Sequence, residues 1–154
     1  MDLGDLIAPE AVIGSLKANS KKQAIQAIAE KAAALTQLPE REIFETLLQR
    51  EKLGSTGVGG GIAIPHGKLP ELDRIFGMFA RLPKPIDFEA LDDQPVDLIF
   101  LLLAPEGAGA DHLKALARIA RHLRKGGVAN KLRASTDKAA LHAVLTEEAT
   151  PDAA

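Results

Sequence analysis

Apolar and polar positions recur with two different periods along this chain, and the changes of period divide it into elements. A short apolar segment around Ala11 to Leu16 predicts a first strand. Ser20, followed three positions later by Gln23, has the form of a capping box, and Ile25, Ile28, Ala32 and Leu35 then recur at helical spacing. Pro39 with Glu40 and Glu42 predicts a second helix whose apolar residues are Ile43, Phe44, Leu47 and Leu48. Arg50 and Lys52 in its last turn, before Gly54, suit the negative end of the helix dipole. From Gly54 to Gly61 the sequence GSTGVGGG holds five glycines in eight positions, which predicts a loop or a loop entering a strand.

Three more strands are expected next. They are Ile62 to Ile64, ending at Pro65; Ile75 to Leu82, before Pro83 and Pro85; and Val96 to Leu103, ending at Pro105. The last is apolar on both alternating faces apart from Asp97, the pattern of a central strand covered on both sides. Asp111 to Lys125 predicts a third helix, stopped by Gly126 and Gly127. Leu113, Leu116, Ala117, Ala120 and Leu123 fall on one of its faces, and Lys114, Arg118, Arg121, His122 and Lys125 on the other. Short helices near Val128 to Arg133 and Asp137 to Thr146 complete the chain. The order β-α-α-β-β-β-α-α-α predicts an α/β fold, a three-layer α/β/α sandwich with a mixed β-sheet. Strands that follow one another without intervening helices argue against a regular doubly wound βαβ fold.

The 154 residues suit one domain, expected over residues 1–148, with 149–154 a flexible C-terminal tail. A formal net charge of −2 provides no strong field to draw the surface to nucleic acid or an anionic membrane. The absence of cysteine excludes a disulfide framework, a thiolate nucleophile and a cysteine zinc site. The N-terminus lacks a signal peptide's basic and apolar regions, and Leu98 to Ala104 is too short to span a bilayer. A cytoplasmic protein without membrane insertion is expected.

The glycine-rich stretch fits no nucleotide motif. A phosphate-binding Walker loop needs Gly-Lys-Ser/Thr where Ile62 and Ala63 follow Gly61, and a dinucleotide fingerprint needs a glycine at Ile62. His66 in Ile64-Pro65-His66-Gly67-Lys68 sits at the end of a short apolar strand, its backbone fixed by the preceding proline. Two readings are open: a turn histidine bonded to backbone, or a neutral imidazole that carries a labile phosphoryl group. His112, at the start of the third helix, is either a solvated helix-start residue or an N–H donor to phosphate beside a second histidine. Arg50 is either complementary to the helix dipole or a fork that neutralises phosphate oxygens. His122 and His142 are expected at the solvated surface, and Asp92, Asp93 and Asp97 in structural roles around an ordinary turn. Neither a His-Glu-x-x-His sequence nor a histidine pair at i, i+4 occurs, so no metal is expected.

Read as one stretch, Arg50-Glu51-Lys52-Leu53-Gly54-Ser55-Thr56-Gly57 through Ile62-Ala63-Ile64-Pro65-His66-Gly67-Lys68 resembles the IIA components of the bacterial phosphotransferase system. The resemblance is to the mannitol/fructose type, most closely its nitrogen-regulatory branch, and it continues through Asp92-Asp93-Gln94-Pro95-Val96-Asp97 and the His112-Leu113 helix. It implies that His66 accepts a phosphoryl group from a phosphorylated HPr-like carrier, with His112 beside it and Arg50 neutralising the phosphate. It also implies a phosphohistidine intermediate without independent multiple turnover, no cofactor or metal, and a layered fold like the one read above. The main-chain amides of the glycine loop are expected to assist. Sugar-transport relatives commonly carry a carboxylate six positions before the histidine, where this chain has Gly60. That difference, and the lack of an attached IIB or IIC segment, favour a regulator of partner proteins; the alternative is a sugar-transport IIA that passes phosphate to a IIB component.

Overall fold

The computed structural model describes residues 2–147, so the expected tail at 149–154 lies outside the described residues. A single helical turn, α1 (Leu3–Leu6), leads into β1 (Ile7–Ile13), and helices α2 (Lys21–Thr36) and α3 (Glu40–Lys52) follow. Five strands come next: β2 (Gly57–Gly59), β3 (Ile62–Ala63), β4 (His66–Leu69), β5 (Phe76–Ile86) and β6 (Val96–Pro105). A 3₁₀ turn at Glu106–Ala108 then precedes α4 (Ala110–Arg124), α5 (Val128–Arg133) and α6 (Lys138–Leu145). The expected order is kept, with α1, β2 and β4 added to it.

The six strands form a mixed sheet in the order β1-β5-β6-β3-β2, with β4 also paired to β6. β1 runs parallel to β5, and both β3 and β4 run parallel to β6. The β5–β6 and β2–β3 pairs are antiparallel. Helices α2 and α3 pack on each other, α4 to α6 form a second group, and both groups rest on the strands, giving the α/β/α layering. β6 is the central strand its sequence predicts: Val96 and Leu98 through Ala104 are all buried.

Ile62 pairs with Leu98, His66 with Leu102 and Leu69 with Pro105, one constant offset along β6. β3 and β4 are therefore one extended segment interrupted at Pro65, which has no N–H to give the ladder but whose carbonyl accepts from the Leu102 amide at 3.0 Å. This register delivers His66 to the C-terminal half of the central strand.

Several local expectations need correction. The first strand begins at Ile7, ahead of the segment expected near Ala11. The strand expected to stop at Leu82 runs on to Ile86. Pro83 and Pro85 interrupt only its pairing: the ladder lapses between Arg81–Leu98 and Ile86–Val96, where exposed prolines cannot donate. The capping residue Ser20 accepts from the Gln23 amide at 3.1 Å, but the Gln23 side chain reaches back to the Asn19 amide, at 2.8 Å, one residue before the reciprocal position. The third expected helix, now α4, is turned about its axis. It buries Ala115, Ile119, His122 and Leu123, while Leu113 on the expected apolar face is 59% exposed.

Candidate functional site

The site is assembled from the end of α3, the start of β4 and the start of α4. The apolar stripe Ile43 and Leu47 fixes the rotation of α3 on the core, so Arg50 in its last turn points along the layer edge toward β4. Arg50 Nη1 donates to the Gly54 carbonyl at 2.9 Å, and its Nε donates to His66 Nε2 at 3.3 Å. On the other side of the ring, His66 Nδ1 lies 2.9 Å from the Ile64 carbonyl oxygen. A carbonyl can only accept, so the proton is on Nδ1 and the lone pair is on Nε2.

Gly67 is needed for a close approach. A Cβ there would lie 2.6 Å from Thr46 Cγ2, so only glycine lets β4 lie this near α3. Half-burial is the main force holding the His66 imidazole below its ordinary pKa of 6.5; the neighbouring Arg50 and His112 lower it further. The Ile64 carbonyl and Glu51 oppose the shift. The ring is accordingly neutral at pH 7, with an unprotonated nitrogen beside a guanidinium.

His112, in the first turn of α4, lies near enough to His66 for its charge to act on that ring, and its Nδ1 donates to the Gly109 carbonyl at 3.2 Å. Of the histidines, Arg50 and aspartates weighed from sequence, His66, Arg50 and His112 are thus brought together. His122 and His142 are not at the solvated surface as expected. His122 is buried, with Nε2 bonded to the Val144 carbonyl at 2.9 Å, and half-buried His142 bonds the Ile7 carbonyl at 2.9 Å. They tie α4 to α6 and α6 to β1, away from His66.

The aspartates are structural. Asp92 accepts from the Gly60 and Gln94 amides at 3.0 and 3.1 Å, and these bonds hold its carboxyl below the usual range. Asp97 grips Arg133 at 2.8 Å, and Arg133 donates in turn to the Gly60 carbonyl. Gly61 has a φ of +79°, and a Cβ there would collide with Arg133 Nη2. The Gly60–Gly61 end of the glycine loop is thereby clamped at the wrong end of β6 to assist His66, while its first residue, Gly54, lies at Arg50. The Gly61 carbonyl accepts from the Asp97 amide, whereas His66 pairs with Leu102, a separation of about 16 Å at strand rise. The amides of Thr56, Gly57 and Gly60 are also already bonded, to Glu51, Ser55 and Asp92.

Sequence reasoning missed Glu51. Its carboxylate is buried, accepts from the Thr56 amide at 3.1 Å and from the Thr56 hydroxyl, and pairs with Lys21 at 2.9 Å. The signal was present: position 51 continues the stripe of Ile43 and Leu47 at intervals of four, so a charged residue falls on the buried face. Around the site, Leu53 is 84% and Leu113 59% exposed, each close in sequence to Arg50 or His112.

Similarity to known proteins extends over nearly the whole chain. Residues 5–148 match the model of the family described as the phosphoenolpyruvate-dependent sugar phosphotransferase system, EIIA 2. A nitrogen regulatory protein of Bradyrhizobium diazoefficiens is 68% identical over 145 residues, covering 94% of this chain and 95% of that one. Its Escherichia coli counterpart is 42% identical over 156 residues, covering 100% and 96%. The crystal structure of nitrogen regulatory protein IIA-Ntr from Neisseria meningitidis superposes with a TM-score of 0.88 at 33% identity, covering 94% of this chain and 99% of that one.

Proposed function

The chain belongs to the EIIA 2 family of the phosphoenolpyruvate-dependent sugar phosphotransferase system, and on that premise we propose that it is a histidine phosphocarrier of the nitrogen-type chain. It takes its phosphoryl group on His66 from a phosphorylated HPr-like carrier, and its phosphorylation state regulates partner proteins. The observation that carries this reading is the fixed ring of His66. Nδ1–H is held by Ile64, so the Nε2 lone pair is directed at the Arg50 guanidinium, where an incoming phosphoryl group would be neutralised.

In the transfer, Nε2 attacks phosphorus in line with the bond to the donor's imidazole. The new bond from Nε2 to phosphorus forms as the donor's nitrogen–phosphorus bond breaks, and that electron pair stays on the donor ring. The His66 Nδ1 proton remains on its bond to Ile64, so the step itself moves no proton. Arg50 releases Nε2 and turns to the phosphoryl oxygens. His112 contributes once it takes a second proton from solvent, which turns Nε2 into a donor while Nδ1 keeps Gly109. Exposed Leu53 and Leu113 flank these residues in sequence and give the donor apolar surface to cover, which keeps water from the phosphohistidine.

The names of the similar proteins favour a regulator over a sugar-passing component. Phosphorylation adds charge at a half-buried position between α3 and α4, enough to open or close a docking surface there. The test is intact mass after incubation with phosphoenolpyruvate, enzyme I and an HPr-type carrier. Gain of one acid-labile phosphoryl group is expected, lost in His66→Ala and slowed in His112→Ala. No gain from either sugar-type or nitrogen-type carriers would overturn the reading, and rapid loss of the group to a purified IIB protein would favour sugar transport instead.

A further inference from the structure

Buried polar side chains among the described residues include Glu51, Thr56 and His122, and the first two meet immediately beside Arg50. The Glu51 side chain is 3% exposed, on a helix stripe where an apolar residue would pack without electrostatic cost. A buried carboxylate must be compensated, and Thr56 and Lys21 do so here. A buried ion pair kept only for stability can usually be replaced by apolar groups of similar volume, so its worth lies in what its bonds hold.

Those bonds lead to the candidate site from two sides. Glu51 fixes Thr56 through the amide and the hydroxyl; the Thr56 carbonyl accepts from the Ile64 amide at 3.0 Å; and the Ile64 carbonyl holds His66 Nδ1 at 2.9 Å. Glu51 is also the neighbour of Arg50, whose Nε meets the opposite nitrogen of the same ring. Lys21 ties the assembly to the start of α2, where its Nζ also lies 5.0 Å from the centre of the Phe88 ring.

We propose that Glu51 is a positioning residue for His66: its carboxylate locks the loop between α3 and β2, so that Ile64 and Arg50 hold the two ring nitrogens in register, and it places a negative charge beside the imidazole. The proposal rests on the phosphocarrier reading above. The charge matters as well as the bonds, because it opposes burial, Arg50 and His112, which all depress the proton affinity of the ring. A more basic imidazole is the stronger nucleophile so long as it stays unprotonated.

Glu51→Gln keeps the shape and one of the two oxygens that accept from Thr56, but removes the charge. Two quantities are measured: the NMR titration midpoint of the His66 ring, and the rate of phosphoryl transfer from a phosphorylated HPr-type carrier. With wild-type circular dichroism, the midpoint is expected to fall and the rate to drop at least about tenfold, since small displacements of a reacting group are costly. Wild-type values of both in the folded variant would overturn the proposal and leave Glu51 a residue of the fold alone. Should Glu51→Gln not fold, Thr56→Val removes the hydroxyl bond to Glu51 while keeping its charge and its bond to the Thr56 amide, and the transfer rate is expected to fall; a wild-type rate there overturns the proposal as well. If the wild type takes up no phosphoryl group, the phosphocarrier reading fails separately, while the titration still decides whether Glu51 governs the ring.

Discussion

An imidazole that attacks phosphorus has to offer a lone pair at the working pH, and burial beside Arg50 secures this for His66 by disfavouring the protonated ring. In a His112→Ala background, where the acceptor ring acts without the second histidine, transfer to His66 is therefore expected to be level from pH 8 down to about 6.5, the ordinary histidine value, and to decline only below it. Rapid-quench rates across that range check this, and a decline beginning above pH 7 would contradict it. The same shift has a stability consequence. Below about 6.5 the unfolded chain binds a proton that the folded one resists, so stability contributed at neutral pH is lost as pH falls through that window. Urea unfolding at pH 7.5 and 5.5 should show a smaller acid loss in His66→Ala than in the wild type. His112 is expected to act as a donor instead. Its Nδ1 is committed to Gly109, so it can donate to a phosphoryl group only as the imidazolium. Its ring-nitrogen NMR signals should move when His66 is phosphorylated, and unmoved signals would remove it from the phosphate's surroundings.

At the scale of elements, the spacing between α3 and β4 is set by one missing methyl. Gly67→Ala puts a Cβ 2.6 Å from Thr46 Cγ2, and overpacking of this kind typically costs about 1–3 kcal/mol. Thr46→Ser removes that Cγ2 atom, so the double variant should recover most of the loss in urea unfolding. Failure to recover would mean that the cost arises in the β4 backbone rather than at the contact. The helices and strands themselves were largely legible, because apolar spacing reports the period directly. Which flank of an amphipathic helix meets the core is a different question, decided by the neighbours. On α4 the sequence groups Leu113 with Leu123, but the sheet, α5 and α6 take up Ala115, Ile119 and His122, leaving Leu113 outside. His122 and His142 depart from expectation for the same reason, since the buried ring of one and the half-buried ring of the other each bond a carbonyl from another element. The prolines of β5 misled differently, because they end hydrogen bonding without ending extension.

For the whole molecule, the decisive strand is β6. It pairs with β5 on one edge and with β3 and β4 on the other, and the constant register along it separates the clamped Gly60–Gly61 turn from His66. That separation could not be read from positions six residues apart in sequence, whereas the meeting of Arg50, His66 and His112 was legible as a motif. Glu51 escaped because the motif named its neighbour and the helix stripe was read only for apolar residues. A strand bonded on both edges and buried on both faces has no local route to solvent, so its amides should exchange only when the whole sheet opens. Leu101, fully buried in its middle, tests this. Leu101→Ala is expected to destabilise by about 3 kcal/mol through transfer and cavity terms. At about 1.4 kcal/mol per tenfold, exchange of the central amides Leu98 to Leu103 should then quicken by about two orders of magnitude together. Their partners in β5 and β4 should quicken with them. Acceleration confined to the residues around position 101 would instead show that β6 opens locally, and that the two ends of the strand are not held by one cooperative core.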